Sequence, residues 1–332
     1  MKPGAGFPFI HKGAPSRRAA LSGLAALLAA GSARAQTPDA APAPEPPPSA
    51  DIATRNDASQ RLTVEVHING AGPYHFIVDT GAERSVIADT VAAELNLAPI
   101  GRVTIDGVVR QIPADLVKVD SLNYGPFALT NARVPVLPRQ YLLVDGYLGL
   151  DAIADSRVTF DFHHHLMHID PPGSRQRSLA SDGDTIRVVM HGSQGRLSAK
   201  HCWVDGVPAA AFVDSGAEVS MGNSALLTAL QARRVRFQDL GPIVLTGVTG
   251  GETQGEVITT NSIRLQEMTV ENSLLAISDT ASFAAWGLAD EPALLLGMNF
   301  LRQFDRVTID YRRGEVRFEL SEANRTYLVA QS

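Results

Sequence analysis

Apolar and polar residues alternate along much of this chain, and the alternation breaks at matching turn residues in two halves. From Leu62 to Ile68 every second position is apolar, the run stops at Asn69-Gly70, and an apolar segment resumes from Tyr74 to Val78. This pattern predicts a hairpin, because period two gives a half-buried strand and Asn-Gly suits the positive φ angles of a tight turn. A second hairpin is predicted from His201 to Val204, Asp205-Gly206 and Ala209 to Val213. Each is followed by a short stretch with helical spacing. One runs through Ala92, Ala93 and Leu95 with Asp89 or Thr90 as its cap, the other through Leu226, Leu227 and Leu230 with Asn223 or Ser224. The halves also end alike: Tyr147-Leu148-Gly149-Leu150 precedes a strand-like Arg157 to Phe162, and Leu295-Leu296-Gly297-Met298 precedes Arg306 to Tyr311. An internal repeat on this scale predicts a mostly β protein of two related lobes.

The boundaries follow from where the patterning stops. Ser16-Arg17-Arg18, an alanine-rich apolar run from Ala19 to Ala30 and Ala33-Arg34-Ala35 have the form of an export signal over 1–35, cleaved after Ala35. The paired arginines resemble a twin-arginine signal, although ordinary Sec signals also carry two; either route places the protein in the periplasm or outside the cell. Residues 36–58, beginning in a Pro/Ala-rich tract, read as disordered linker. The first lobe is then 59–170, a Pro/Gly/Ser-rich connection occupies 171–184, the second lobe is 185–320, and 321–332 is a tail.

Composition narrows the field. At 332 residues and 45% hydrophobic, the chain can fill two cores of ordinary size. A formal net charge of −6 gives no basic footprint for nucleic acid, and no apolar run reaches the roughly 18 to 20 residues of a membrane span. Cys202 is the single cysteine, which excludes an internal disulfide and any multi-cysteine zinc site.

Candidate chemistry sits at the end of each hairpin. Phe76-Ile77-Val78-Asp79-Thr80-Gly81-Ala82-Glu83 is echoed by Ala211-Phe212-Val213-Asp214-Ser215-Gly216-Ala217-Glu218. One Asp-x-Gly alone is a common turn, but two in matching surroundings point to one site built from both lobes. Two carboxylates held together share a proton, and such a pair can act as base and acid at once. Alternatives are a peptide- or cell-wall-fragment-binding protein of the same fold, and a two-carboxylate glycosidase. The latter needs its carboxyls about 5 Å or more apart, and tandem symmetry opposes it.

Asp79-Thr80-Gly81-Ala82, Asp214-Ser215-Gly216-Ala217 and the apolar-Gly segments Leu148-Gly149 and Leu296-Gly297 resemble the aspartic proteases, and their retroviral-type branch more than the pepsin branch. The resemblance spans Leu62 to Leu320 and implies a bilobal acid-protease β-barrel fold with two retropepsin-like lobes in tandem. It implies an endopeptidase acting on peptide or protein substrate without cofactor or metal, as a monomer with internal pseudo-two-fold symmetry. Asp79 and Asp214 would activate water. Thr80 and Ser215 would hold the lobes together, and Gly81 and Gly216 would allow the close turn. Ala82 and Ala217 lack the hydroxyl of pepsin-like enzymes, which implies a pair titrating higher than pepsin's. Glu83 and Glu218 stand where retroviral-type enzymes carry a cleft-lining aspartate. A covering flap is expected at Gly247, Val248, Gly250 and Gly251, with a less glycine-rich counterpart at Asp106 and Gly107.

Two other features have plainer readings. His163-His164-His165 with His168 suggests a metal site, but the repeat aligns them with the polar Arg312-Arg313-Gly314-Glu315, so a solvated hairpin turn is expected. Cys202, in a strand-like run, reads as a small buried hydrophobe. The glycine cluster from Gly247 to Gly255 is not followed by the Gly-Lys-Ser/Thr of a phosphate loop.

Overall fold

Six strands that follow the predicted hairpin pattern wrap into a closed barrel in each half of the chain. The computed structural model describes residues 48–172, 185–193 and 196–320. The predicted signal at 1–35, the tract to 47, residues 173–184 of the connection and the tail at 321–332 lie outside the described residues. Both lobes belong to one compact unit.

In the first lobe the strands run in the order Leu62–Ile68, Ala71–Val78, Gly146–Leu148, Val86–Ala88, Phe127–Leu137 and Gln111–Tyr124, and the last pairs back on the first through Ile68 and Leu122. In the second they are Arg196–Val204, Val207–Val213, Ala293–Leu296, Met221–Gly222, Met268–Ile277 and Glu252–Leu265, closed through Cys202 and Leu265. The fold is mostly β, with two closed six-strand barrels. Closure follows from the alternation. Val64, Val66, Ile68 and Phe76 point inward and are fully buried, and each such side chain contributes about 1.5–3 kcal/mol. A closed barrel also leaves no edge strand to pair with a second molecule.

The predicted turns form with the expected backbone. Asn69 and Gly70 have φ of 50° and 83°, and Asp205 and Gly206 have 47° and 80°, the left-handed region that Asn, Asp and Gly tolerate. The helix Ser224–Ala232 is capped as expected, Asn223 Oδ1 accepting from Leu226 N at 3.0 Å. In the first lobe neither Asp89 nor Thr90 is the cap. The helix Asp89–Glu94 starts from Ala88, and Asp89 Oδ1 instead accepts from Thr90 N and from Arg139 N, the latter at 2.9 Å.

A third sheet joins the lobes. Arg157–Asp161 runs antiparallel to Phe304–Asp310, with Thr159 opposite Thr308 and their hydroxyls 2.9 Å apart in a buried hydrogen bond. Leu166–Asp170 and Glu315–Leu320 flank this pair. The outermost strands are Ala50–Asn56 and Thr185–Val189. Ala50–Asn56 corrects the reading of 36–58 as linker throughout. Within it Ile52 and Thr54 are buried, and the strand binds Leu166–Asp170 and then Leu62–Ile68. Composition averaged over the tract masks this short alternation.

The histidines form the expected turn: His165, at φ 54°, takes the place of Gly314 at 61°. His164 Nδ1 lies 3.0 Å from Asp161, and His168 Nδ1 lies 2.6 Å from Asp51. Cys202 is buried as a hydrophobe would be, and burial pushes its thiol up to about 12.

Candidate active site

Each motif aspartate is delivered by a strand that ends against a parallel neighbour. Ala71–Val78 pairs with Gly146–Leu148, and Asp79 N donates to Leu148 O at 2.9 Å; Val207–Val213 pairs with Ala293–Leu296, and Asp214 N donates to Leu296 O at 3.0 Å. Beyond each glycine the loop is held again, by Leu150 N on Ala82 O and by Met298 N on Ala217 O, both at 2.9 Å. Ser85 and Ser220 complete the frame. Ser85 Oγ donates to Asp151 Oδ1 at 2.7 Å and accepts from Gly149 N at 3.0 Å, while Ser220 Oγ does the same with Asn299 Oδ1 and Gly297 N at the same distances. The motif reading did not single out these four residues. A signal was present, because each serine lies six positions after its aspartate and each partner two positions after the apolar-Gly pair.

The lobes are stitched together directly beneath the aspartates. Thr80 Oγ1 donates to Val213 O at 3.1 Å and accepts from Ser215 N at 3.0 Å. Reciprocally, Ser215 Oγ donates to Val78 O at 2.7 Å and accepts from Thr80 N at 3.2 Å. Both side chains are buried, so each of these bonds contributes about 1 kcal/mol and each lost partner would cost more. The glycines explain how close the carboxylates come. A Cβ on Gly81 would lie 2.7 Å from Asp214 Cγ, and one on Gly216 would come closer still to Asp79 Cγ. Each glycine therefore makes room for the opposite lobe's carboxylate as well as for its own turn.

Backbone N–H groups point at the acids. Gly81 N and Ala82 N donate to Asp79 Oδ1 at 2.8 and 2.9 Å, and Gly216 N donates to Asp214 Oδ1 at 2.8 Å. Burial dominates even so. It raises Asp79 against those donors and the nearby Arg61, and raises Asp214 much further because the Asp79 charge adds to burial. The two groups form one coupled pair that retains a proton well into the range where an ordinary carboxyl has lost it.

Asp79, but not Asp214, lines a cavity of about 400 Å³. Asp79, Gly81, Ala82 and Glu83 form its floor, Asp106 and Val248 reach it from the two hairpins, and Trp286 reaches it from the second lobe. Ala217 and Glu218 are not among its lining residues; Glu218 O accepts from Asn299 N at 3.1 Å. Gly247, Gly250 and Gly251 line a second, more open cavity of about 560 Å³ beside Tyr141.

Both segments expected to form flaps are hairpins, and their tips meet. Pro99–Asp106 with Gln111–Tyr124 forms one hairpin, and Asp239–Thr246 with Glu252–Leu265 forms the other. At their tips Thr249 Oγ1 donates to Arg110 O at 2.8 Å and Arg110 Nε donates to Thr249 O at 3.1 Å. Thr249 is fully buried, and Gly107 has no room for a Cβ because the Thr249 side chain fills that space. Val108 O accepts from Ala281 N at 2.9 Å, tying the first tip to the second lobe. Sequence reasoning found the glycines of these tips and missed Arg110 and Thr249, whose partners lie 139 positions away.

Two barrels, a shared sheet and a pair of Asp-hydroxyl-Gly loops facing each other across the junction constitute the bilobal acid-protease fold, with retropepsin-like lobes in tandem. The sequence agrees with that class. The chain belongs to the aspartyl protease family, whose model matches residues 64–152 and 200–300, one segment in each lobe. A search of curated proteins finds no match. Among the described residues no helix is long and apolar enough to cross a membrane.

Proposed function

We propose that the protein is an aspartic endopeptidase in which Asp79 and Asp214 share one proton and activate a water between them. The ionised carboxylate takes a proton from the water as its oxygen attacks the scissile carbonyl, and the protonated one donates to the carbonyl oxygen. Collapse of the tetrahedral intermediate then returns a proton to the amide nitrogen, and the carbon–nitrogen bond breaks. The observation that carries this reading is the mutual fit in which each motif glycine leaves space filled by the opposite aspartate. Thr80 and Ser215 act as positioning groups, since their hydroxyls are spent on the opposite lobe's backbone. Peptide lies along the cavity floor under the two tips, and the chain works as an exported monomer because one chain supplies both halves of the cleft.

The test is cleavage of a mixed peptide library by wild type, Asp79→Asn and Asp214→Asn. Each substitution should lower kcat/KM by about 10³-fold or more, since each removes half of an acid–base pair. Cleavage that survives either change would overturn the mechanism. Binding of a statine-type inhibitor with no cleavage by wild type would instead identify a peptide-binding protein. Burial raises both carboxyls, so cleavage is expected to be optimal at higher pH than for a pepsin-like pair; an optimum only below about pH 3 would contradict that.

A further inference from the structure

The two aspartates sit in matching loops, but the lobe of Asp79 carries a buried Arg61–Asp57–Tyr147 cluster that has no described match in the lobe of Asp214. Arg61 opens the strand Leu62–Ile68, and its side chain is only 12% exposed. Its Nε and Nη2 both meet Asp57 Oδ2, at 2.8 and 2.7 Å, and its Nη1 donates to the Tyr147 hydroxyl at 2.7 Å. Tyr147 is buried on the strand Gly146–Leu148, pairs in register with Ile77 two residues before Asp79, and lines the same cavity as Asp79. The loop carrying Arg61 is fixed from the other lobe as well. Arg302 Nε donates to Gln60 O at 2.9 Å, and Arg302 Nη2 bonds Asn56 Oδ1.

In the second lobe the position of Tyr147 is Leu295, which pairs with Phe212 two residues before Asp214. The repeat places Arg196 where Arg61 stands, but Leu295 has no hydroxyl to receive a guanidinium.

We propose that Arg61, held by Asp57 and Tyr147, is the positioning group that makes the two carboxylates inequivalent, keeping the negative charge on Asp79 and the shared proton on Asp214. This rests on the reading of the two aspartates as one site. The guanidinium is bonded to a tyrosine that sits opposite Ile77, two residues before Asp79, and that lines the same cavity as Asp79, whereas Asp214 does not line it. A poorly solvated charge on that side stabilises a negative charge on Asp79 more than on Asp214. In keeping with this, burial raises Asp79 while the Gly81 and Ala82 N–H groups, the bond with Asp214 and, in smaller measure, the Arg61 charge lower it, whereas Asp214 is raised by burial and by Asp79 itself. The other titratable or charged groups that face the pair are Asp57 and Tyr147 within the cluster, Tyr311 from the inter-lobe sheet, Glu83 and Arg84 at the cavity edge, and Asp106 from the first hairpin. Tyr311 is buried and feels the charge of both aspartates, that of Asp79 first. The consequence for peptide hydrolysis is directional: Asp79 serves as the base toward water and Asp214 as the acid toward the carbonyl.

The experiment is a carbon-13 NMR titration of the full chain labelled at the aspartate carboxyls, with signals assigned by Asp79→Asn and Asp214→Asn. In wild type the carboxyl that ionises first should be the one lost in Asp79→Asn. Arg61→Gln should raise that midpoint by about one pH unit, and Arg61→Lys by less, because the charge remains. Tyr147→Phe removes one oxygen, should raise the midpoint by about half a unit, and carries the test if Arg61→Gln does not fold. Arg196→Gln should leave the Asp79 midpoint in place. The proposal is overturned if Asp214 ionises first, if neither Arg61→Gln nor Tyr147→Phe moves the Asp79 midpoint, or if Arg196→Gln shifts Asp214 equally. The acid limb of kcat/KM should move with the NMR midpoint. A midpoint that moves in a protein unable to cleave would overturn the peptidase reading and leave this one standing.

Discussion

The two lobes agree atom for atom in some places and not at all in others, and the division is informative. Agreement is closest where the carboxylates are brought together. The strand-end bonds to Leu148 and Leu296 are alike, as are the crossed hydroxyls of Thr80 and Ser215 and the bonds of Ser85 and Ser220 to the glycine loops. Divergence appears at Tyr147 against Leu295, Asp151 against Asn299, and an arginine tip at Arg110 against a glycine tip at Gly250 and Gly251. A site on a pseudo-two-fold junction closes only if both halves present the same loop, so those parts must match. The proposed polarising group, Arg61 with Tyr147, would act from one side, and the two hairpin tips meet through unlike residues, so neither place requires a matching copy.

The largest effect should come from filling the space each lobe leaves for the other. Gly216→Ala and Gly81→Ala each put a methyl within contact of the opposite carboxylate, a short, fixed side chain rather than a flexible end. Each should lower kcat/KM by about 10²-fold or more and cost roughly 1–3 kcal/mol in urea unfolding. Gly216→Ala should be the more severe, because its fit is the tighter. If either alanine is tolerated, the carboxylates are not in the close contact that lobe matching requires.

A smaller effect is expected where the lobes differ. Arg110→Ala removes the Arg110 Nε bond to Thr249 O and the contact of the guanidinium with the Tyr141 ring, while Thr249→Val removes the reciprocal hydroxyl bond. Neither touches the carboxylate pair. Both should change KM several-fold with kcat within about two-fold, as expected when a cover closes less firmly over bound peptide. Equal losses in kcat would mean that the tips position the reacting groups rather than cover them.

Much of this was legible in the residues. Alternation, Asn-Gly and Asp-Gly turns and the doubled Asp-hydroxyl-Gly specified both hairpins and the junction, because those features depend on neighbours in sequence. The export signal, the connection and the tail fall outside the described residues and remain sequence expectations. Ala50–Asn56 was hidden because its strand partners lie far along the chain and its surroundings are rich in proline and alanine. Arg110 with Thr249, and Arg61 with Tyr147, were hidden for a related reason: polar side chains gain meaning only from a distant partner, which periodicity does not reveal. Ser85 and Ser220 lay between these cases, visible once the repeat is followed six residues past each aspartate.

Asp151 and Asn299 offer the finest test of how far the halves are interchangeable. Both side-chain oxygens accept from a serine N–H at 2.8 Å and from the same serine's hydroxyl at 2.7 Å, so the bonds do not require a charge. Burial raises Asp151 above the usual carboxylate range despite Ser85. A carboxyl raised in the folded state contributes its full stability below its unfolded value and loses it as pH rises through the folded one. Asp151→Asn copies the second lobe's solution, and should leave the thermal midpoint unchanged near pH 4 and raise it by about 2–4 °C at pH 7, equivalent to about 1 kcal/mol. A midpoint lowered at pH 7 would show that the first lobe uses the charge, through the field of nearby Arg84, and that the divergence at this position is functional rather than neutral.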